Sequence, residues 1–286
     1  MKKFLTASLI IVVIIAGLFV YKQINESRHH FQVTFFDIGQ GDASLIQFAN
    51  GQKMLVDCGA DKKILAKLGR ALPFYDRTID YVMATHPDLD HYGGCVDVLK
   101  NYKVKEIIIN GRKKEYDSYW QVWDEAVKNE GAIIKIVDRP QEWVVASTTL
   151  EFLSPDSSLA LDVKADDSNN YSIVFRLLSG RTSFLFTGDM EQPLEKALVQ
   201  KYCSNTSTVC LALQADVLKV GHHGSDSSSG ENFLNLVNPQ TATISVGKNN
   251  RYGHPSLRVL KRLERVGAEI LITSEKSDIL LPVDNK

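Results

Sequence analysis

The stretch that decides the fold is His86-Pro87-Asp88-Leu89-Asp90-His91-Tyr92-Gly93-Gly94. It directly follows the apolar segment 79–84, which predicts a buried strand. Four potential metal ligands (His86, Asp88, Asp90 and His91) occupy six positions, and a loop at the end of a strand can turn such closely spaced groups toward one point. The two glycines permit a tight turn into the next helix. The alternative, a polar surface loop, does not account for this spacing, so we predict a metal site here.

Further motifs lie on both sides of this stretch. Each combines acidic, amide, hydroxyl or histidine side chains with the ends of predicted strands: FDIGQGDA at 36–43, NNYS at 169–172, FTGD at 186–189, KVGHHGS at 219–225, SVG at 245–247 and NRYGHP at 250–255. With these motifs the sequence resembles the metallo-β-lactamase superfamily, whose signature is H-x-H-x-D-H. It departs at the second histidine, which is Asp88 here. The variant H-x-D-x-D-H is similar to the hydrolase domain of the competence DNA-uptake channel (the ComEC family), and the resemblance runs from residue 31 to the C-terminus.

The resemblance implies a centre of two divalent metal ions, zinc or manganese. The expected ligands are His86 and Asp88 for one ion, and Asp90, His91 and one of the paired histidines, preferably His222, for the other. Asp189 follows a predicted strand and a glycine, so its carboxylate is expected to bridge both ions. Asp88 adds oxygen and negative charge where the signature has an imidazole, which shifts the preference somewhat from zinc toward manganese.

Catalytic and substrate-binding residues are expected around these ligands. Asp90 and Asp189 are the expected catalytic carboxylates. His254 is expected to act as a proton donor or substrate ligand, with a role at the entry of a helix as the alternative. His223 is interpreted as a residue that supports the ligands or binds a substrate phosphate as a hydrogen-bond donor, with a purely structural histidine as the alternative.

The remaining polar residues of the motifs are assigned to the substrate or to the support of the ligands. Asn170, Ser172, Ser225 and Lys219 are expected to bind substrate, and Asn170 and Ser172 have the alternative of only holding their loop. Asp37, Asp42 and Asp57 flank strand ends and are expected to orient ligands, although Asp37 fits a turn cap equally well. Positive charge near the site is expected from Lys219, Lys248, Arg251, Arg258, Lys261 and Arg262. For the last three residues we prefer a solvated helix face.

Predicted strands and helices alternate along the chain. Strands are predicted at 31–37, 43–48, 53–57, 79–84, 104–109, 133–137, 149–153, 172–178, 183–187, 217–220, 241–246 and 269–273. Helices are predicted at 64–72, 94–102, 119–129, 191–202, 233–237 and 256–266. This pattern predicts an α/β domain over residues 31–286, an αββα metallo-β-lactamase sandwich of two similar halves with the sheets inside and the helices outside.

Residues 1–30 predict a membrane segment and a tether. Lys2 and Lys3 precede an apolar run over residues 4–21, which as a helix spans ~27 Å, close to the hydrocarbon thickness of a bilayer. The lysines favour a cytoplasmic N-terminus, which sends the rest of the chain outward. We prefer an uncleaved signal anchor to a signal peptide, because no clear A-x-A site precedes Tyr21. The protein is then single-pass with its catalytic domain outside the cytoplasm, or secreted if the segment is cleaved.

The four cysteines fit an oxidising compartment. Cys203 and Cys210 bracket a polar loop that a disulfide can close, and Cys58 and Cys95 form a second possible bridge beside the metal loop. The alternative is four buried free thiols. The formal net charge is −1, and a mildly acidic domain is not a general polyanion binder, so a nucleic-acid substrate needs a local basic groove or bound metal.

We therefore expect an extracytoplasmic metal-dependent phosphodiesterase or nuclease that acts on DNA or another phosphodiester polymer through a metal-bridging hydroxide. The alternatives are a cell-surface phosphorylcholine-type phosphoesterase and a non-catalytic anchored binding module. β-Lactam hydrolysis fits less well because Asp88 departs from a three-histidine first site. The channel's pore segments are not in this sequence, so we expect hydrolysis rather than transport. The membrane and a phosphodiester substrate are the expected partners, and no obligate protein partner is inferred.

Overall fold

The computed structural model describes residue 17 and residues 30–159, 161, 163–164, 167–203 and 210–283. Two sheets of seven strands lie face to face. The first sheet has the order β14-β1-β2-β3-β4-β5-β6, formed by β1 (Gln32–Phe35), β2 (Ala43–Gln47), β3 (Lys53–Cys58), β4 (Thr78–Ala84), β5 (Lys103–Ile109), β6 (Ile133–Ile136) and β14 (Ile279–Pro282). The second has the order β13-β12-β11-β10-β9-β8-β7, formed by β7 (Gln141–Val145), β8 (Thr148–Ser154), β9 (Val174–Ser179), β10 (Thr182–Phe186), β11 (Val217–Lys219), β12 (Thr241–Ile244) and β13 (Glu269–Ile272).

Helices cover the outer faces of both sheets. On the first sheet these are α1 (Lys63–Ala71), α2 (Leu89–Tyr92), α3 (Cys95–Asn101) and α4 (Ser118–Glu130), and on the second they are α5 (Gln192–Cys203), α6 (Glu231–Val237), α7 (Leu257–Arg265) and α8 (Thr273–Lys276). Two single 3₁₀ turns, Asn169–Tyr171 and Gly221–Gly224, interrupt the loops near the site. The predicted αββα sandwich is thus confirmed.

Each sheet is apolar on both faces because each face is covered. In β2, Leu45 packs toward the helices of the first sheet, whereas its neighbour Ile46 packs into the layer between the two sheets. Successive side chains of a strand point to opposite faces, so such a strand has a nearly continuous apolar run instead of an alternating one. The strand β3 follows this rule, with all of its residues buried.

Parallel pairing collects the polar motifs at one end of the strands. β3, β4, β5 and β6 are mutually parallel in the first sheet, and β10, β11, β12 and β13 are parallel in the second. Loops that follow parallel strands emerge at the same edge of a sheet, which is where α/β proteins usually build their sites. The histidine and aspartate motifs follow β4, β10 and β11, so the fold brings them together.

Both predicted disulfides are confirmed. Cys58 is bonded to Cys95 and Cys203 to Cys210, so all four cysteines are paired. The predicted signal anchor over residues 1–30 lies almost wholly outside the described residues, and the boundary at residue 31 stays a prediction. In the described part of the chain, no helix has the length and apolar character needed to cross a membrane.

Candidate metal centre

The loop after β4 carries the first group of polar side chains. His86 is buried, and its Nε2 lies 4.0 Å from Oδ2 of Asp88. Asp88 precedes α2, a single turn that holds both Asp90 and His91. A side chain at Gly94 would collide with the carbonyl oxygens of Cys58 and Asp61, so only glycine allows the loop to pack this closely against the end of β3.

Each imidazole of the first half is held through its Nδ1 atom. Nδ1 of His91 lies 2.9 Å from Oδ2 of Asp57. Nδ1 of His86 lies 3.0 Å from Oγ1 of Thr85, which itself donates a hydrogen bond of 2.9 Å to Oδ2 of Asp57. Ser172 adds a contact of 3.3 Å to Nδ1 of His86. Asp57 therefore orients both rings and leaves their Nε2 atoms directed at the site.

The double histidine is held in the same way. Nδ1 of His223 donates to the carbonyl oxygen of Ser245 at 2.9 Å, and Nδ1 of His222 donates to Oε1 of Glu191 at 2.9 Å. A carbonyl or carboxylate oxygen only accepts, so in the neutral rings the proton lies on Nδ1 and the lone pair on Nε2. All four histidines thus present Nε2, the arrangement typical of metal ligands.

Asp189 lies at the point where these nitrogens meet. Its Oδ1 is 3.3 Å from Nε2 of His91, and its Oδ2 is 3.4 Å from Nε2 of His223 and 4.0 Å from Nε2 of His222. Oδ2 of Asp90 lies 3.4 Å from the same His223 nitrogen. Ligand atoms at these separations can surround common cations, as in the groups formed by His86, His91 and Asp189 and by Asp90, His91 and His223.

Several of these atoms are buried without a hydrogen bond from any described residue. They are Nε2 of His86, His91 and His223 and Oδ1 of Asp189. A buried polar atom without a partner costs about 1–3 kcal/mol, so four of them at one place need an explanation. Divalent cations supply one, because each of these atoms has a lone pair to donate. The donor set therefore fits the divalent metal ions that such a centre requires.

Burial and mutual charge perturb these groups strongly. Burial lowers the pKa of an imidazole, and it is the main reason why the pKa of His86 falls to about 4. Burial also lowers the pKa of His91 and of His223, but nearby carboxylates outweigh it. These are Asp189 and Asp57 at His91, and Asp189, Asp42 and Asp90 at His223. They raise the pKa of His91 well above 6.5 and that of His223 to about 10. Without a cation the two rings therefore carry protons that offset the buried carboxylates.

The two adjacent histidines occupy positions different from those predicted. The prediction gave His222 to the group of Asp90 and His91, but His223 faces that group, and it is buried. Both histidines have positive φ angles (46° and 53°), and this tight left-handed turn points the second ring inward. His222 lies farther out and contacts His254, with 5.7 Å between the ring centroids.

Lys219, predicted to bind substrate, is buried in the structure. It lies on β11 with 3 % of its side chain exposed, forms a close ion pair with Asp42, and donates a hydrogen bond of 2.8 Å to the carbonyl oxygen of Gly188. A buried ammonium is stable only when paired in this manner. Lys219 thus lies beneath the centre with its ammonium paired to Asp42, and its contact with substrate stays a prediction.

Two other predicted substrate-binding residues also point inward. Both hydrogen-bonding groups of Asn170 are used: the amide donates to Asp167, and Oδ1 accepts from the backbone nitrogens of Glu191 and Leu194 at the start of α5. Ser172 is fully buried, and its Oγ accepts from the backbone nitrogen of Asp189 at 3.1 Å. Asn170 therefore holds its loop, and Ser172 contacts metal-centre residues; for both, contact with substrate stays a prediction.

Several other predicted polar residues contact neighbouring protein groups. Ser225 is buried and contacts Oγ of Ser227, which also hydrogen-bonds Glu191. Asp37 accepts from the backbone nitrogen of Gly39 and so caps a turn. Arg258 and Arg262 are both paired with Asp226, in agreement with the helix-face interpretation.

Other supporting residues were not predicted from the sequence. Glu191, which holds His222, follows the Asp189 motif by two positions, and Thr85 directly precedes His86, so proximity to the motifs was the available signal. Lys114 and Ser168 both contact Oδ1 of Asp88, at 2.6 and 2.5 Å. No motif marks either residue, because they come from separate loops.

Comparison with known proteins identifies the family. The family model described as "Metallo-beta-lactamase superfamily" matches residues 36–248. ComE operon protein 3 of Bacillus subtilis is 31% identical, with 94% of this chain and 35% of that protein covered, and competence protein ComA of Neisseria gonorrhoeae is 31% identical, with 92% and 34% covered. The chain thus spans about a third of the length of these relatives.

Among solved structures, the fold is similar to that of Tm1679, a metal-dependent hydrolase of the β-lactamase superfamily. The TM-score is 0.55 at 14% sequence identity, covering 89% of this chain and 100% of that one. The resemblance inferred from the motifs is thereby confirmed. The chain belongs to the metallo-β-lactamase superfamily, a fold that indicates a metal-dependent hydrolase using divalent metal ions.

Proposed function

We propose that the protein hydrolyses phosphodiester bonds, in DNA or another phosphodiester polymer, with two divalent metal ions, zinc or manganese. The observation that carries the proposal is the set of four Nε2 atoms directed toward Asp189 and its neighbours. Two metal ions side by side are the usual means of stabilising both the attacking and the leaving oxygen of a phosphoryl transfer.

The ligands divide into two sets. Asp90, His91 and His223 form the set of one ion, supported by the 3.4 Å between Asp90 and His223. His86 and Asp88 belong to the other ion. His222 is suited to complete this second set, since its Nε2 lies 4.0 Å from Asp189. We propose that Asp189 is shared between the ions, since its two oxygens face different histidines.

Bound metal ions would supply an activated water and neutralise phosphoryl oxygens. The protein residues hold this arrangement in place: Asp57 and Ser172 restrain the rings, and the ion pair of Lys219 with Asp42 supports the centre from below. His254 is half-buried, lies beside His222, and remains the proposed proton donor to the leaving oxygen. Asp90 and Asp189 are the proposed catalytic carboxylates.

The relatives favour DNA as the substrate. One of them is named a competence protein and another a ComE operon protein, and the match to each covers more than nine tenths of this chain. Because this chain spans only a third of their length, we carry over the hydrolytic step and no transport role. Asp88 in place of a histidine makes β-lactams the weaker alternative.

We also propose that the domain lies outside the cytoplasm, tethered by residues 1–30 as a signal anchor. Two disulfides support this location, since such bonds persist mainly in oxidising compartments. Protease added to intact cells should degrade the domain. Protection until the membrane is opened would contradict the proposal.

The test of the proposed function combines metal content with turnover. The full-length chain, loaded with manganese or zinc, should bind about two ions and hydrolyse bis(p-nitrophenyl) phosphate. Asp189→Ala should lose metal and turnover together. Asp138→Ala, an exposed aspartate on another loop, is the matched control and should retain both. A metal-loaded wild type that hydrolyses no phosphodiester would refute the proposal.

A further inference from the structure

A groove opens beside the metal centre on the side of Asp88. Its volume is about 840 Å³, within the roughly 300–1,000 Å³ typical of ligand pockets. One wall is the loop of residues 111–117 between β5 and α4, and the other includes Pro87, Asp167 and Ser168. We call this feature the basic groove, after the cations of its loop, Arg112, Lys113 and Lys114.

The basic groove is continuous with the metal centre. Lys114 and Ser168 line the groove, and both contact Oδ1 of Asp88, which leaves Oδ2 facing His86. A polymer with one phosphodiester at the metal ions would therefore have its neighbouring residues in or near this groove.

The lining of the groove has three cations and three acids, and Lys113 offers a positive charge that is open to solvent. Lys113 is exposed, and no described carboxylate pairs with it. Of the three acids of the lining, Asp117 caps α4 by accepting from the backbone nitrogen of Tyr119 at 2.8 Å, Asp167 accepts from the backbone nitrogen of Asn170 at 2.9 Å, and Glu115 is exposed. The guanidinium of Arg112 lies 3.2 Å from the ring centre of Tyr171, which fixes its position.

An aromatic ring stands at the same loop. Tyr116 is fully exposed, so both faces of its ring are open to solvent. Basic side chains combined with exposed aromatic rings are the features that bind single-stranded nucleic acid, through phosphates and stacked bases respectively. The groove is a cleft between two loops.

We propose that the basic groove binds a single-stranded nucleic acid next to the bond that is cleaved, with Lys113 on a phosphate and Tyr116 stacked on a base. The inference rests on the proposed function for the identity of that bond. It goes further by assigning the binding residues and the strand form of the substrate.

The test measures binding of a fluorescein-labelled oligothymidine of ~12 nucleotides, a length suited to single-strand sites. Its phosphorothioate linkages slow cleavage by the metal-loaded, full-length protein. Lys113→Gln should weaken binding about 3- to 10-fold at low salt and reduce the slope of log affinity against log salt by about 0.7. Lys196→Gln, the same change on an exposed lysine of α5, should do neither.

Stacking is tested separately from charge. Tyr116→Ala should weaken oligothymidine binding roughly 5- to 100-fold and leave the binding of an abasic strand of equal length unchanged. Tyr75→Ala, an exposed tyrosine of another loop, is the control. Wild-type affinity in the Lys113 and Tyr116 variants, equal losses in the controls, or tighter binding of duplex than of single strand would each overturn the inference.

Failure of the groove proposal can be distinguished from failure of the proposed function. Hydrolysis of bis(p-nitrophenyl) phosphate by the wild type reports on the metal centre alone. If the wild type hydrolyses the phosphodiester but the groove variants bind oligothymidine as the wild type does, the groove proposal is refuted and the proposed function stands. Groove effects without turnover on any phosphodiester would refute the function and keep the groove.

Discussion

Asp57 supports both histidines of the first half, so replacing it with asparagine should disable the centre without unfolding the protein. Its φ angle is +57°, and asparagine is among the few residues that tolerate this region, so the backbone can remain unchanged. The asparagine oxygen can still accept from Thr85. Its amide, however, would face Nδ1 of His91, which must then accept, and the ring proton would move to Nε2.

A proton on Nε2 blocks the lone pair that we assign to a metal ion. Losing such a support typically costs 10- to 100-fold in metal affinity, or roughly 1.4–2.8 kcal/mol. The affinity is measured by competition with a chromophoric chelator at constant pH, with circular dichroism to verify the fold. Asp138→Asn, exposed and away from the centre, serves as the control. If Asp57→Asn bound metal as tightly as the wild type, the idea that Asp57 sets the His91 tautomer would be wrong.

Three further predictions follow from the same contacts. Ser172→Ala should lower kcat about 10-fold in a phosphodiesterase assay while metal content stays unchanged, since it removes a support and no proposed ligand; equal kcat would contradict this role. The pKa values of His91 and His223 are raised in the metal-free protein, so a metal ion must displace their protons when it binds. The apparent metal affinity should therefore rise about 10-fold per pH unit for each proton displaced. A metal affinity that stays constant in titrations between about pH 6 and 8 would contradict this prediction. Lys219→Met removes the closest cation of the buried Asp42 carboxylate and should destabilise the fold by about 3–5 kcal/mol in denaturant titration, against less than about 0.5 kcal/mol for Lys196→Met. Similar losses in both would contradict the buried pair.

The sequence predicted the layers of the fold because apolar runs and turn residues mark them locally. It missed β7 and β14, two strands at or near sheet edges. β14 is only four residues long, and it forms by pairing with β1, nearly the whole chain away in sequence. Such a strand is defined by its distant partner, and a local pattern contains little of that information.

In the centre, the sequence predicted which motifs meet but not the direction of each side chain. His222 and His223 are adjacent, and only the left-handed turn decides which ring faces Asp90. For Lys219 a position on a strand does not reveal which face is buried, so a cation near the motifs was assigned to substrate. The basic groove was missed because its lysines lie among acids, and only the structure reveals that N–H donors engage two of those acids, Asp117 and Asp167.

The Cys58–Cys95 bridge joins the residue after Asp57 to the residue after the metal loop. It closes a loop over a sequence separation of 37, worth about 4 kcal/mol in the chain-entropy model. While the cysteines are reduced, the strand that carries Asp57 and the turn that carries His91 are joined by noncovalent contacts alone, among them the 2.9 Å contact between Oδ2 of Asp57 and Nδ1 of His91. We therefore expect metal affinity to depend on the thiol state. The enzyme would then mature in sequence, with oxidation first and metal capture second, and a chain still in a reducing compartment would remain latent.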